Sequence, residues 1–163
     1  MYYELTDAIV VKTDLQATWA FFCRAENLPD ITPPWMNFKV LADGPIHIGQ
    51  DTHIDYQIRW AGMPLRWRTR IIDWSPPRQF IDLQLSGPYD LWHHQHTFEQ
   101  VEDGTLCRDR VLYRVPLGPL GRIANAVMVR RQLIEIFEYR RKAITERLGW
   151  VRAVQAKVEI RKV

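Results

Sequence analysis

"LWHHQHTFEQVEDGTLCRDRVLYRV", residues 91–115, decides the architecture of this chain. A strand turns successive side chains to opposite faces. Trp92, His94, His96 and Phe98 therefore share one face, and Leu91, His93, Gln95 and Thr97 the other. Asp103-Gly104 in "EDGT" predicts a two-residue hairpin turn. That turn pairs Glu102 with Thr105 and sets Phe98 opposite Asp109, His96 opposite Val111, His94 opposite Tyr113 and Trp92 opposite Val115. Arg108, Arg110 and Arg114 then gather on the second face with Glu99, Thr97 and His93, where Glu99 can pair with Arg108. Three arginines mark that face as the solvent side. The inner face holds His94, His96, Asp109 and Tyr113 among Trp92, Phe98 and Val111. Polar groups buried without partners cost about 1–3 kcal/mol each, so these four must bond to one another, to cavity water or to a ligand.

Working outward, "YYELTDAIVV" reads as a first strand. A helix follows, with Thr13 or Asp14 as N-cap and Leu15, Trp19, Phe22 and Cys23 at helical spacing. Prolines 29, 33 and 34 in "LPDITPPW" break regular structure. Six strand-like stretches, about 36–42, 51–60, 64–74, 79–86, 91–100 and 105–115, are separated by the turn signals "DGP", "AGMP", "SPP", "SGPYD" and "EDG". Ile54, Tyr56, Ile58 and Trp60 form one inward row, and Leu65, Trp67, Thr69 and Ile71 another. In "FIDLQLS" (80–86) the pattern alone buries Ile81, Leu83 and Leu85. An odd-length loop through "SGPYD" would instead align Phe80, Asp82 and Gln84 with the histidines. The last element is a long helix from about Pro119 to Leu148, closed by Gly149. Its expected stripe is Leu120, Ala124, Val127, Met128, Ile134, Phe137, Ile144 and Leu148, with Arg130, Arg140 and Lys142 off it. At 1.5 Å per residue it runs roughly 45 Å. The basic tail 151–163 reads as a frayed terminus, a docked strand or a partner arm.

This order gives an α+β architecture: a curved antiparallel sheet of about seven strands covered by one long helix. One narrow helix cannot fill so wide a concavity, so a cavity between them is expected. At 163 residues the chain fits one domain, assigned to 1–150 with the tail beyond it. Its 47% hydrophobic and 25% charged content is that of a globular protein, and seven tryptophans suit a cavity lining. A net charge of +3 with no basic cluster argues against nucleic acid. Two cysteines without metal spacing, no leader-like N-terminus and no membrane-length apolar run lead to the expectation of a soluble cytoplasmic protein.

Four stretches carry a resemblance: "LPDITPPWMNF", "IRWAGMPLRWRTRIIDWSPPRQFID", "SGPYDLWHHQHTF" and "DGTLCRDRVLYRVPLGPLG". Over roughly residues 3–148 the chain resembles the SRPBCC superfamily of START-like, helix-grip domains, and within it a bacterial ligand-binding branch. The resemblance implies the helix-grip fold and a deep cavity between sheet and C-terminal helix. It also implies that the aspartate of "FID", the "GPY" turn and the "W.H.H.F" strand face that cavity, which favours Asp82 and Gln84 pointing inward.

The expected ligand-binding set is Tyr56, Trp67, Asp82, Gln84, Trp92, His94, His96, Phe98, Asp109, Tyr113, Val127, Met128 and Arg131. Its occupant would be a hydrophobic or amphipathic molecule such as a lipid, polyketide or quinone. In a second reading, His94, His96, Asp109 and Tyr113 shuttle protons in a cyclisation or dehydration; in a third, the domain engages another protein. His94, His96 and Asp109 also have metal-ligand chemistry, but no further ligand is evident and the superfamily usually lacks metals, so neither metal nor cofactor is expected. Nucleophilic catalysis finds no support, since no G-x-S-x-G elbow is present and neither cysteine has a matched base. Arg131 either packs its stem with its head in water or meets a ligand carboxylate at the cavity mouth. The arginines of "RWRTR" (66–70) form a solvated outer face or touch anionic lipid headgroups, which would make a membrane surface a peripheral partner. The oligomeric state is not legible.

Overall fold

The computed structural model describes residues 1–60 and 62–163. Strand β1 (Tyr3–Val11) leads into helix α1 (Leu15–Phe22), whose N-cap is Asp14, accepting from the Ala17 N–H at 2.8 Å. Three short 3₁₀ turns, Ala25–Asn27, Pro29–Ile31 and Pro34–Met36, carry the proline-rich stretch across the open side of the sheet. The antiparallel run follows: β2 (Lys39–Val40), β3 (His53–Trp60), β4 (Met63–Ser75), β5 (Gln79–Ser86), β6 (Leu91–Val101) and β7 (Gly104–Arg114). The turn expected at "AGMP" begins at Ala61, which lies outside the described residues. After β7 come α2 (Gly118–Ala124), a π-helical segment (Asn125–Val129) and α3 (Arg130–Leu148), and then β8 (Trp150–Ala153) and β9 (Glu159–Lys162).

The sheet order is β2-β3-β4-β5-β6-β7-β1-β8, with β9 also paired to β1. The seven expected strands are all present, and the tail adds two more. Val158 and Ile160 are buried there and pack as part of the core. Bulges at Arg68/Thr69 and Ile71/Asp73 bend β4, and the sheet closes around α3.

The β6–β7 hairpin differs from expectation by two residues. Val101 pairs with Gly104, so Glu102 and Asp103 make the turn; His96 faces Asp109, His94 faces Val111 and Trp92 faces Tyr113. Gly104 explains the slip. Its φ is 146°, and a Cβ there would sit 1.9 Å from the Val11 carbonyl oxygen. The glycine is therefore needed in the strand, where the end of β1 crosses it, and not in the turn. A slip of two preserves every side chain's face. The Arg108–Glu99 pair still forms, at 3.0 Å and diagonally across the strands.

The C-terminal helical run also departs from a uniform helix. A π segment inserts an extra residue into the turn and rotates whatever precedes it. Downstream, Phe137, Ile144 and Leu148 are buried as expected. Upstream, the buried positions are Gly121, Asn125 and Val129, each one residue later than the expected Leu120, Ala124 and Met128. Leu120, Val127 and Met128 are exposed as a result.

Candidate functional site

Between the inner faces of β3–β6 and helix α3 lies a cavity of about 150 Å³. Ile54, Tyr56, Ile58, Trp60, Trp67, Thr69 and Ile71 supply the sheet wall, and Leu133, Ile136, Phe137 and Arg140 the helix wall. Leu28, Ile31, Thr32 and Met36 from the 3₁₀ turns cover it. The pleat explains the sheet wall: each of these strands offers every second side chain to the concave side.

Asp82, His94 and His96 also line the cavity. The β5–β6 register pairs Asp82 with His94 and Phe80 with His96, which puts the aspartate on the histidine face. The His94 and His96 ring centroids are 3.8 Å apart, and Phe80 stacks on His96 at 4.2 Å. His94 donates from Nε2 to Asp109 Oδ1 at 2.9 Å, and its Nδ1 lies 3.6 Å from Asp82 Oδ2. His96 Nε2 is 3.1 Å from Asp82 Oδ2. Its Nδ1 is 2.7 Å from Asp109 Oδ1, off the hydrogen-bonding direction. Arg140 places Nε 3.6 Å from Asp109 Oδ2, with its guanidinium carbon 5.7 Å from the centre of the Phe22 ring.

The electrostatics follow from this crowding. Burial alone would raise both carboxyl groups. The charges of Arg140 and His96 hold Asp109 well below the usual carboxylate range, and His94 and His96 keep Asp82 low. His94 is pushed down by burial and by its imidazole neighbour. His96 is also opposed by burial, but two carboxylates outweigh it and move its pKa up. Two carboxylates and one guanidinium thus surround the two imidazoles.

A second polar feature stands among the aromatic rings. Trp67 and Tyr89 both line the cavity, and both are buried with their Nε1–H and hydroxyl groups lacking a partner among the described residues. Trp67, Tyr89 and Trp92 pack mutually at centroid distances of 4.9–5.7 Å, which fixes the rings and leaves the polar atoms unspent.

Of the residues expected here, Tyr56, Trp67, Asp82, Trp92, His94 and His96 line the cavity. Asp109 stands behind the imidazoles. Gln84 is not on the wall: it points to the "SGPYD" loop, donating to the Tyr89 carbonyl at 2.6 Å. Phe98 packs instead against Phe22 and Trp19 in the core. Tyr113 is separated from the histidines by the register slip, and its hydroxyl donates to Asn125 at 3.0 Å. Val127 and Met128 face outward because of the π segment. Arg131 is exposed and pairs with Glu135 at 2.8 Å. Of the "RWRTR" arginines, Arg68 and Arg70 pair with Asp55 and Asp51 on the outer face. Cys23 has its thiol pushed up to about 12 by burial, and burial likewise raises Cys107.

Sequence reasoning missed Arg140, and its ligand-binding set left out Leu133, Ile136 and Phe137 of the helix wall and Tyr89, which only the resemblance turned toward the cavity with the "GPY" turn. Arg140 carried a readable signal, since it stands three residues after Phe137 and four before Ile144, on the buried stripe by spacing.

Residues 11–137 match the family described as polyketide cyclase/dehydrase and lipid transport. The chain belongs to this family. No curated protein matches the sequence significantly. Among solved structures, it is similar to a START superfamily protein from Mycobacterium smegmatis, with 15% identity and a TM-score of 0.67 over 90% of this chain and 97% of that one. The Zhui aromatase/cyclase from Streptomyces sp. R1128 gives 15% identity and a TM-score of 0.63, covering 90% of this chain and 96% of that one. A protein from Thermus thermophilus gives 17% identity and a TM-score of 0.66, covering 89% and 96%. At these identities the likeness establishes the fold: α+β, START-like, helix-grip. Among the described residues no helix is long and apolar enough to cross a membrane.

Proposed function

We propose that this polyketide cyclase/lipid-transport family member binds a compact amphipathic molecule in the cavity under α3. The observation that carries this reading is an aromatic void lined by Trp67 and Tyr89, whose indole N–H and hydroxyl are buried without a partner among the described residues. Each such atom costs about 1–3 kcal/mol if it stays dry and alone, and an oxygen acceptor on a bound molecule would supply the missing bond. Size narrows the class. A void of about 150 Å³ is the size known to take a benzene ring, whereas drug-sized ligands occupy roughly 300–1,000 Å³. A single oxygenated ring, or the end of a quinone, polyketide or acyl chain, fits without repacking.

The test is titration followed by tryptophan fluorescence, since Trp67 and Trp92 are in the wall, together with native mass spectrometry of the isolated protein. A substituted phenol should quench the fluorescence saturably and bind at least about 10-fold more tightly than toluene, the difference one to two hydrogen bonds supply. Saturable binding of neither compound, with no co-purifying mass, would overturn the reading.

Catalysis on the bound molecule is the second reading, favoured by two imidazoles and an aspartate on the same wall. It requires His96→Ala to abolish turnover of a bound polyketone while affinity falls only modestly.

A further inference from the structure

We propose that Asp82, His94 and His96 form a binding site for a divalent first-row transition metal, zinc or iron(II), with Asp109 and Arg140 as its supporting layer. The inference goes beyond the hydrophobic-ligand reading and does not depend on it. Three acceptor atoms converge: Asp82 Oδ2, His94 Nδ1 and His96 Nε2. The side chains can present one ligand atom each with all three within 4.8 Å of one another. Asp82 Oδ2 is 3.6 Å from His94 Nδ1 and 3.1 Å from His96 Nε2. Two ligands of a tetrahedral zinc, with bonds of about 2.0–2.1 Å, stand about 3.3–3.4 Å apart. The observed spacings bracket that edge.

The other ring nitrogens strengthen the case. A metal-bound imidazole characteristically gives its remaining N–H to a carboxylate. Here His94 Nε2 hydrogen-bonds to Asp109 Oδ1 at 2.9 Å, and His96 Nδ1 lies 2.7 Å from the same oxygen, off the hydrogen-bonding direction. The second oxygen of Asp109 lies toward Arg140. The geometry of His94 leads to the same arrangement: with Nε2 committed to Asp109 Oδ1, its Nδ1 faces Asp82 Oδ2 at 3.6 Å, with no hydrogen bond between them. A cation between the two would give both atoms a partner. Two histidines and one carboxylate leave coordination positions open. Because all three residues are on the cavity wall, those positions face the cavity.

Whole protein, dialysed against EDTA, is titrated with cobalt(II) and zinc(II). The expected result is one equivalent of cobalt with a d–d spectrum of mixed nitrogen and oxygen ligation, displaced by zinc. His94→Ala and His96→Ala should each weaken cobalt binding by about 100-fold or more. Asp109→Asn should keep the spectrum and lose about 10–100-fold in affinity, the usual effect of disturbing a ligand's support. Circular dichroism checks that each variant is folded, and His94→Gln replaces any that is not. The proposal is overturned if folded wild-type protein takes up neither ion. It is equally overturned if uptake is unchanged in the histidine variants, which would place the ion on His47, His53 or His93. Phenol binding by a protein that refuses both metals would leave the proposed function standing and end this inference alone.

Discussion

Replacing Tyr89 by Phe separates a binding cavity from an ordinary core. Tyr89 is 6% exposed, and its ring is held by Trp60, Trp67, Trp92 and Tyr113 at centroid distances of 4.9–6.3 Å. The substitution leaves those contacts in place and removes only a hydroxyl that has no partner among the described residues. In a core built for stability, tyrosine-to-phenylalanine deletes a hydrogen bond and costs about 0.5–1.5 kcal/mol. Here no such bond exists, and deletion relieves a desolvation penalty of about 1–3 kcal/mol. The ligand-free protein should therefore become more stable. For a chain of this size 1 kcal/mol corresponds to about 2–4 °C in Tm, so a rise of about 2 °C or more is expected. The urea midpoint should rise with an unchanged m-value. Binding of the phenol probe should move the other way, weakening by about 2–13-fold for a lost hydrogen bond. Opposite signs for stability and affinity are the signature of a residue kept for its ligand. A fall in Tm together with undiminished phenol binding would refute the reasoning.

Two further outcomes test the frame that positions the cavity. Gly104→Ala should destabilise by at least about 2 kcal/mol, because its Cβ would meet the Val11 carbonyl oxygen at 1.9 Å at a φ of 146°; thermal unfolding measures it, and a neutral result would contradict the register given above. Glu4 is buried on the outer face of β1, where hydrogen bonds and charge from Arg110 and Arg161 outweigh burial and hold its pKa below the usual 4.5. A lowered carboxylate pKa adds stability that is present above 4.5 and lost as pH falls through the folded-state value. Glu4→Gln should thus lower stability at neutral pH and flatten the loss below pH 4.5, read from urea midpoints across that range.

The strands and their faces were legible because each rests on a local rule. Alternation separated Tyr56 and Trp67 from Asp55 and Arg66, and three arginines in β7 identified the outer face without any knowledge of the partner strands. The β6–β7 register was not legible. Asp-Gly has the chemistry of a turn centre, and only the carbonyl of Val11, more than ninety residues away in sequence, shows that Gly104 is required in the strand. Asp82 was ambiguous for a related reason: its face depends on the parity of a loop, which a pattern cannot count. Val127 and Met128 were misplaced because a helix pattern assumes a constant 3.6-residue period, and one inserted residue in the π segment breaks it. The tail was open to several readings because its strands are short and basic, and among the described residues the strand they pair with is β1, at the far end of the sequence.

Arg140 shows how a charge can obscure a spacing. Periodicity places it on the buried stripe, and polarity argues for removing it. In the structure periodicity prevails because Asp109 waits on the opposite wall, at a position that a two-residue slip brings beneath the imidazoles. An arginine buried without a counter-charge would cost several kcal/mol, so Arg140 and Asp109 entail each other. The same holds for the pair of histidines in "WHHQH". Two imidazoles on an aromatic face cannot be stable as isolated polar groups, and the face across from them supplies a carboxylate on each flanking strand. The polar atoms of Trp67 and Tyr89 have no such compensation among the described residues, and this asymmetry is the physical ground for proposing a partner from a bound molecule.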